Sequence, residues 1–199
     1  MNGITAIIPA HPHRVRNGML RRAVASVLGQ TVQPDYVRIL NDIDGLGSAV
    51  TRNALLDEVT TEWVAFLDSD DEWDLDHLET LVDHTDEADV IYSGCRVIGV
   101  LGEDIPLREE WGRFGKPFDG DLLRQRSYIP VTSMVRTDTI AATNARFCPV
   151  DGTTYDDWGF YLTLLEGGAR FLHVPKVTWT WHHHNSNTSG QPDRGDARR

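Results

Sequence analysis

Apolar positions along the chain switch between a strand-like and a helical period. Residues 4–8 (Ile-Thr-Ala-Ile-Ile) form a short β-branched run closed by Pro9, which predicts a buried strand ending in a loop. After a loop over residues 10–18, Leu20, Ala23, Val24, Val27 and Leu28 recur at helical spacing, Arg21, Arg22 and Ser26 point away, and Gly29 ends the helix. A second strand is predicted over residues 36–40, running into Asn41-Asp42. A turn over residues 44–48 then leads to a helix over residues 49–59 that buries Leu55, Leu56 and Val59. A third strand, residues 63–67, precedes a helix marked by Leu75, Leu78, Leu81 and Val82. Three strand-helix repeats predict an α/β fold with a mostly parallel sheet, right-handed crossovers, and loops gathered at the carboxyl ends of the strands.

The second half is less regular. Residues 90–97 read as a strand, and residues 99–120 as a long connection rich in Gly, Pro and charge. Within it, Trp111 and Phe114 suit an interface or an internal packing role equally. A short helix is predicted over residues 121–126, a strand over 132–136, and a brief helix from Thr137 to residue 142. Asp156-Asp157 opens a stronger helix whose buried face is Trp158, Tyr161, Leu162 and Leu165, with Gly167-Gly168 at its end. Residues 176–181 alternate as a strand and deliver His182-His183-His184. One domain is expected over residues 1–189, with a flexible polar tail over 190–199.

Between residues 64 and 74, Val64-Ala65-Phe66-Leu67 empties into Asp68, Asp70, Asp71, Glu72 and Asp74. Two readings fit this cluster. It is an acidic turn capping the helix beyond it, or a set of hard oxygen ligands by which Mg²⁺ or Mn²⁺ holds a phosphate at a strand's carboxyl end. Asp156-Asp157 has a similar ambiguity, since acidic residues in a first turn favour the helix dipole. Composition narrows the partners. With 30 acidic and 19 basic side chains, the net charge of −11 argues against a groove tracking nucleic-acid phosphates and against an anionic membrane surface. Cys95 and Cys148 lack metal-ligand spacing and read as buried small hydrophobes. With no basic leader and no apolar segment approaching a membrane span, the chain reads as soluble and cytoplasmic.

Order along the chain supplies the next step. A strand ends in Ile7-Ile8-Pro9, a helix reads Leu-Arg-Arg-Ala-Val-Ala-Ser-Val-Leu-Gly-Gln-Thr, and a strand ends in Asn41-Asp42. Then come Thr51-Arg52-Asn53-Ala54-Leu55, Phe66-Leu67-Asp68-Ser69-Asp70-Asp71, Asp156-Asp157-Trp158, and Trp179-Thr180-Trp181-His182-His183-His184. This series, from about residue 4 to residue 189, resembles a family 2 glycosyltransferase of the GT-A fold, a Rossmann-like three-layer sandwich. The resemblance implies transfer of a sugar from a nucleotide-diphosphate donor to an acceptor hydroxyl with inversion, aided by Mn²⁺ or Mg²⁺. Asp70 is then a metal ligand, and His184 a further metal or phosphate contact. Asp68 meets the ribose or the ion's water shell, Asp42 the nucleobase, and Arg52 the phosphates. Pro9 lies in the donor site, and Asp157 is the general base. The acceptor, whether glycan, protein or lipid-linked sugar, is not implied.

Two departures from the family pattern stand out. Asp42 and Arg52 are separated by only nine residues, and Ala10-His11-Pro12-His13-Arg14 replaces the usual Tyr-Asn-Arg type of loop. That loop's basic groups can face a diphosphate, although for any one of them solvation is the simpler expectation. A rival of the same fold is a sugar-nucleotide-binding module without turnover. A nucleotidyltransferase is a more distant one, since Pro9 to Arg16 has no glycine for a phosphate loop.

Overall fold

The computed structural model describes residues 3–106, 115–184 and 187. Trp111, Phe114 and the expected tail lie outside these residues. In chain order the elements are β1 (Ile4–Ala10), α1 (Pro12–Arg16), α2 (Met19–Leu28), β2 (Tyr36–Asn41), α3 (Ser48–Leu56), β3 (Trp63–Phe66), β4 (Glu72–Trp73) and α4 (His77–Val82). They continue with β5 (Val90–Ile98), β6 (Asp104–Ile105), α5 (Gly120–Gln125), β7 (Ser133–Arg136), α6 (Thr137–Thr143), α7 (Asp156–Glu166) and β8 (Phe171–His182).

The strands lie in the order β2-β1-β3-β7-β5-β8-β4, with β6 paired to β5. Strands β1, β2 and β3 are parallel, as the alternation predicts, and β5 runs parallel to β8. The pairs β3-β7, β5-β7, β4-β8 and β5-β6 are antiparallel, so the sheet is mixed, not mostly parallel. The departure comes from β7, which follows the irregular second half of the chain and enters between β3 and β5 antiparallel to both.

Side chains alternate across this sheet into two cores. Ile4, Ala6, Ile8, Ala65 and Leu67 face α2 and α4, burying Ala23, Val27, Leu78 and Leu81. Ile7, Val64 and Phe66 face α3 and α7, burying Leu55, Leu56, Phe160 and Leu164. Helices on both faces explain why β1 and β3 are nearly continuous apolar runs. The α7 face is centred on Phe160, Tyr161 and Leu164, with Trp158, Leu162 and Leu165 flanking it. Phe160 stacks on Phe147 at 4.3 Å, and that stack turns the helix away from the expected face.

Other local expectations shift as well. Pro12 at the first helical position and the His11 side chain, which accepts the His13 N–H, start α1 inside the expected loop. Helix α3 ends at Leu56, short of residue 59. Leu28 and Leu75 are exposed, and Cys148 is exposed where burial was expected. Among the described residues no helix is long and apolar enough to cross a membrane.

Candidate active site

Parallel register brings three strand ends to one edge. Pro9 pairs with Leu40 and Ala10 with Asn41, the Asp42 N–H donates to the Ala10 carbonyl at 2.8 Å, and Ile7 pairs with Phe66. Asp42 and Asp68 therefore emerge beside Pro9. The chain after Asp68 turns back into β4, where Glu72 pairs with Thr180 of β8. Helix α4 begins only after Asp76, so Asp68, Asp70 and Asp71 are not its caps. Pro9, Asp42, Arg52, Asp68, Asp70 and Asp157 all line one cavity of about 600 Å³.

Each carboxylate has a distinct setting. Asp70 is buried, and its Oδ2 lies 3.0 Å from His184 Nε2, 2.9 Å from Arg14 Nη2 and 3.4 Å from Asn187 Nδ2. Burial opposes its charge, but the His184 hydrogen bond and Arg14 outweigh that and hold the carboxyl below the usual range. Arg22 adds a 2.6 Å hydrogen bond to the Asp70 carbonyl. Burial raises Asp71 well above the usual range, with Asp70 and Asp68 adding to the effect, while Asp71 accepts the His182 N–H at 3.0 Å. The Asp42 oxygens accept the N–H groups of Leu46 and Gly47, both at 2.7 Å. This closes the short turn before α3, and Gly45 and Gly47 supply its positive φ angles of 69° and 96°.

Arg52 lies at the centre of the cluster. Its Nη2 donates to Asp68 Oδ1 at 2.6 Å, and its Nη1 to Asp156 Oδ1 and Oδ2 at 2.9 and 3.0 Å. Ser48 Oγ donates to Asp156 Oδ2 at 2.6 Å. Asp156 is thus engaged by a cation and a hydroxyl, whereas Asp157 Oδ1 accepts only its neighbour's backbone N–H, from Trp158 at 2.8 Å, among the hydrogen bonds described. Burial, followed by the adjacent Asp156 charge, pushes the Asp157 carboxyl up to about 7. A carboxyl titrating near neutrality and facing a cavity is suited to general-base work.

Of the residues picked from sequence, Asp70 and His184 touch, Asp68 and Arg52 touch, and Asp42 and Asp157 stand on other walls of the same cavity. Arg14 is the main addition. The sequence places it in a loop where solvation was expected, but α1 turns its guanidinium onto Asp70, with the Arg14 side chain 12% exposed. Pro12 at a helix start was the available signal. For a divalent ion the donor set fits in kind: the Asp70 carboxylate would suit Mn²⁺ or Mg²⁺, and the His184 imidazole would suit Mn²⁺ better than the harder Mg²⁺. Among the described residues no group of three or more His, Cys, Asp or Glu side chains is placed to hold a metal alone.

Comparison with known proteins bears on the fold and the family. The crystal structure of S. aureus TarS 1–349 superposes with a TM-score of 0.69 at 16% identity, covering 90% of this chain and 60% of that one. Its complex with UDP-GlcNAc gives 0.69 at 17% identity, over 93% and 60% of the two chains. At these identities the likeness shows the fold. The succinoglycan biosynthesis protein ExoW of Rhizobium meliloti (strain 1021) is 34% identical over 105 residues, which cover 39% of this chain and 32% of ExoW. The chain spans about a third of that relative's length. Residues 33–143, more than half of the chain and inclusive of Asp42, Arg52, Asp68 and Asp70, match the model of glycosyl transferase family 2, and the chain belongs to that family.

Proposed function

We propose that the chain catalyses metal-dependent, inverting transfer of a sugar from a nucleotide-diphosphate donor to an acceptor hydroxyl. The observation that carries this reading is the convergence on one cavity of Asp70, which touches His184, with Asp68, Arg52 and Asp157. The UDP-GlcNAc complex of TarS makes a UDP-sugar the first donor to try.

In this reading Pro9 and Asp42 border the nucleoside, and Asp68 meets the ribose. Asp70 and His184 would hold the divalent ion, which when bound stabilises the charge that builds on the leaving diphosphate. Asp157 takes the proton of the acceptor hydroxyl. The oxygen then attacks the anomeric carbon as the bond from that carbon to the diphosphate oxygen breaks, with opposite-face attack inverting the configuration.

The test is calorimetric titration of UDP, GDP and dTDP with Mn²⁺ and with EDTA, paired with a donor-turnover assay. Metal-dependent binding of one nucleotide, lost in Asp70→Ala, is expected, together with turnover lost in Asp157→Asn that still binds. Full turnover by Asp157→Asn removes the assigned base, and binding without any turnover across an acceptor panel makes the chain a donor-binding module.

A further inference from the structure

We infer that Arg52 is a positioning residue: its guanidinium ties the donor-side carboxylate Asp68 to Asp156 and thereby fixes the placement of the neighbouring Asp157. This rests on the reading of Asp157 as the base.

The argument begins with the fork. Arg52 sits on α3, Asp68 at the end of β3 and Asp156 at the start of α7, and its two terminal nitrogens reach both carboxylates at 2.6 to 3.0 Å. The Arg52 side chain is 7% exposed, and its guanidinium lies 5.2 Å from the Phe147 ring centroid. Its neighbour extends the tie, since Asn53 donates to the Phe147 carbonyl and accepts the Phe147 N–H, both at 2.9 Å. Two consecutive residues of α3 thus clasp the chain that leads into α7. A planar fork spanning two carboxylates fixes direction as well as distance, which a lysine ammonium does not.

Electrostatics follow from the same arrangement. The groups bearing on Asp157 are Asp156 beside it on α7, Arg52 from α3, Asp68 from the end of β3, and Tyr161 one turn along, whose hydroxyl is bonded to Ser133. Asp156 and Asp68 disfavour the Asp157 anion, and Arg52 favours it. Because Arg52 and Ser48 absorb Asp156, Asp157 is left as the carboxyl able to take a proton from the cavity side.

The test needs no substrate. The Asp157 carboxyl carbon, identified by its loss in Asp157→Asn, is titrated by ¹³C NMR in wild type, Arg52→Gln, Arg52→Lys and Asp156→Asn. Removing the cation is expected to raise the Asp157 midpoint by about one unit, and removing the neighbouring anion to lower it by a similar amount. Arg52→Lys, which keeps the charge and loses the fork, falls between wild type and Arg52→Gln. If Arg52→Gln does not fold, the Lys and Asp156→Asn variants carry the comparison. Unmoved midpoints overturn the inference. So does an Arg52→Lys variant whose nucleotide affinity collapses while its midpoint holds, because Arg52 is then a phosphate ligand. Failure of every nucleotide to bind wild type would count against the glycosyltransferase reading and leave the titration result standing.

Discussion

Asp70 and His184, 114 residues apart in the chain, meet at 3.0 Å between Oδ2 and Nε2. Sheet topology makes the meeting: β8 pairs antiparallel with β4, so the chain leaving β8 runs past the turn that carries Asp70. Asn187 fastens the junction by donating to the His182 carbonyl at 3.2 Å and accepting the His184 N–H.

The same Asp70 oxygen already has a cation from within the protein, since Arg14 Nη2 lies 2.9 Å from it. An Mn²⁺ ion held by Asp70 as proposed would have to displace Arg14 or share the carboxylate with it. Arg14→Gln is expected to bind Mn²⁺ more tightly than wild type in the absence of nucleotide. His184→Ala should bind it at least about tenfold more weakly. Free-Mn²⁺ titration by electron paramagnetic resonance measures both, and equal affinities in wild type and Arg14→Gln would show that the two cations do not compete.

Stability should respond to pH in opposite directions at two of these carboxyls. Asp70 is held below its ordinary value, so its contribution is complete above the unfolded value near 3.8 and is lost as pH falls through the folded value. Asp157 is raised from 3.8 to about 7, so between those values the folded state binds more protons than the unfolded one, and stability falls as pH rises. Asp157→Asn removes that penalty. It should stabilise the protein by on the order of 2–4 kcal/mol at pH 8 and have little effect at pH 4, as read from urea midpoints at the two values.

Much of this site was legible in the sequence because its carboxylates sit at the ends of strongly patterned elements. Asp42 follows β2, Asp68 follows β3, and Asp157 opens α7, so placing the strands placed the residues. What was not legible depends on contacts between distant segments. Helix α1 has only five residues, too few for a periodic signal, so Arg14 read as solvated. Strand β4 has two residues and is specified by its pairing with β8, which hid the turn separating the acidic cluster from α4. The orientation of α7 is set by Phe147 stacking on Phe160, and a stack between two segments leaves no trace in local spacing.

The two thiols should differ sharply in reactivity. Cys95 is buried on β5, and burial, with Asp71 adding to it, pushes its thiol up to about 12. Cys148 is exposed. Under native conditions, a thiol-disulfide reagent should titrate one cysteine rapidly and the second only after denaturant is added. Rapid modification of both in buffer would mean that β5 is not covered as described. Because Cys148 adjoins Phe147, which Asn53 holds, its labelling rate also reports on that junction.

Gly159 is a position where a single methyl group should do damage, because it would meet backbone. In an exposed helix interior, Gly→Ala usually stabilises by about 1 kcal/mol. Here a Cβ would fall 2.1 Å from the Cys148 carbonyl oxygen and 3.0 Å from its sulfur. The carbonyl belongs to backbone whose own N–H donates to the Asp156 carbonyl at 3.2 Å, so it cannot retreat without disturbing the start of α7. Gly159→Ala is therefore expected to cost about 1–3 kcal/mol through overpacking. It should also lower turnover, because Asp156 and Asp157 ride on the turn that moves, and a displacement of about 1 Å at a catalytic group can cost on the order of a hundredfold. A second substitution separates the two clashing atoms. If the sulfur is the obstacle, Cys148→Ala restores the denaturation midpoint of Gly159→Ala. If the carbonyl is the obstacle, as the shorter distance requires, the double variant stays as unstable as the single one.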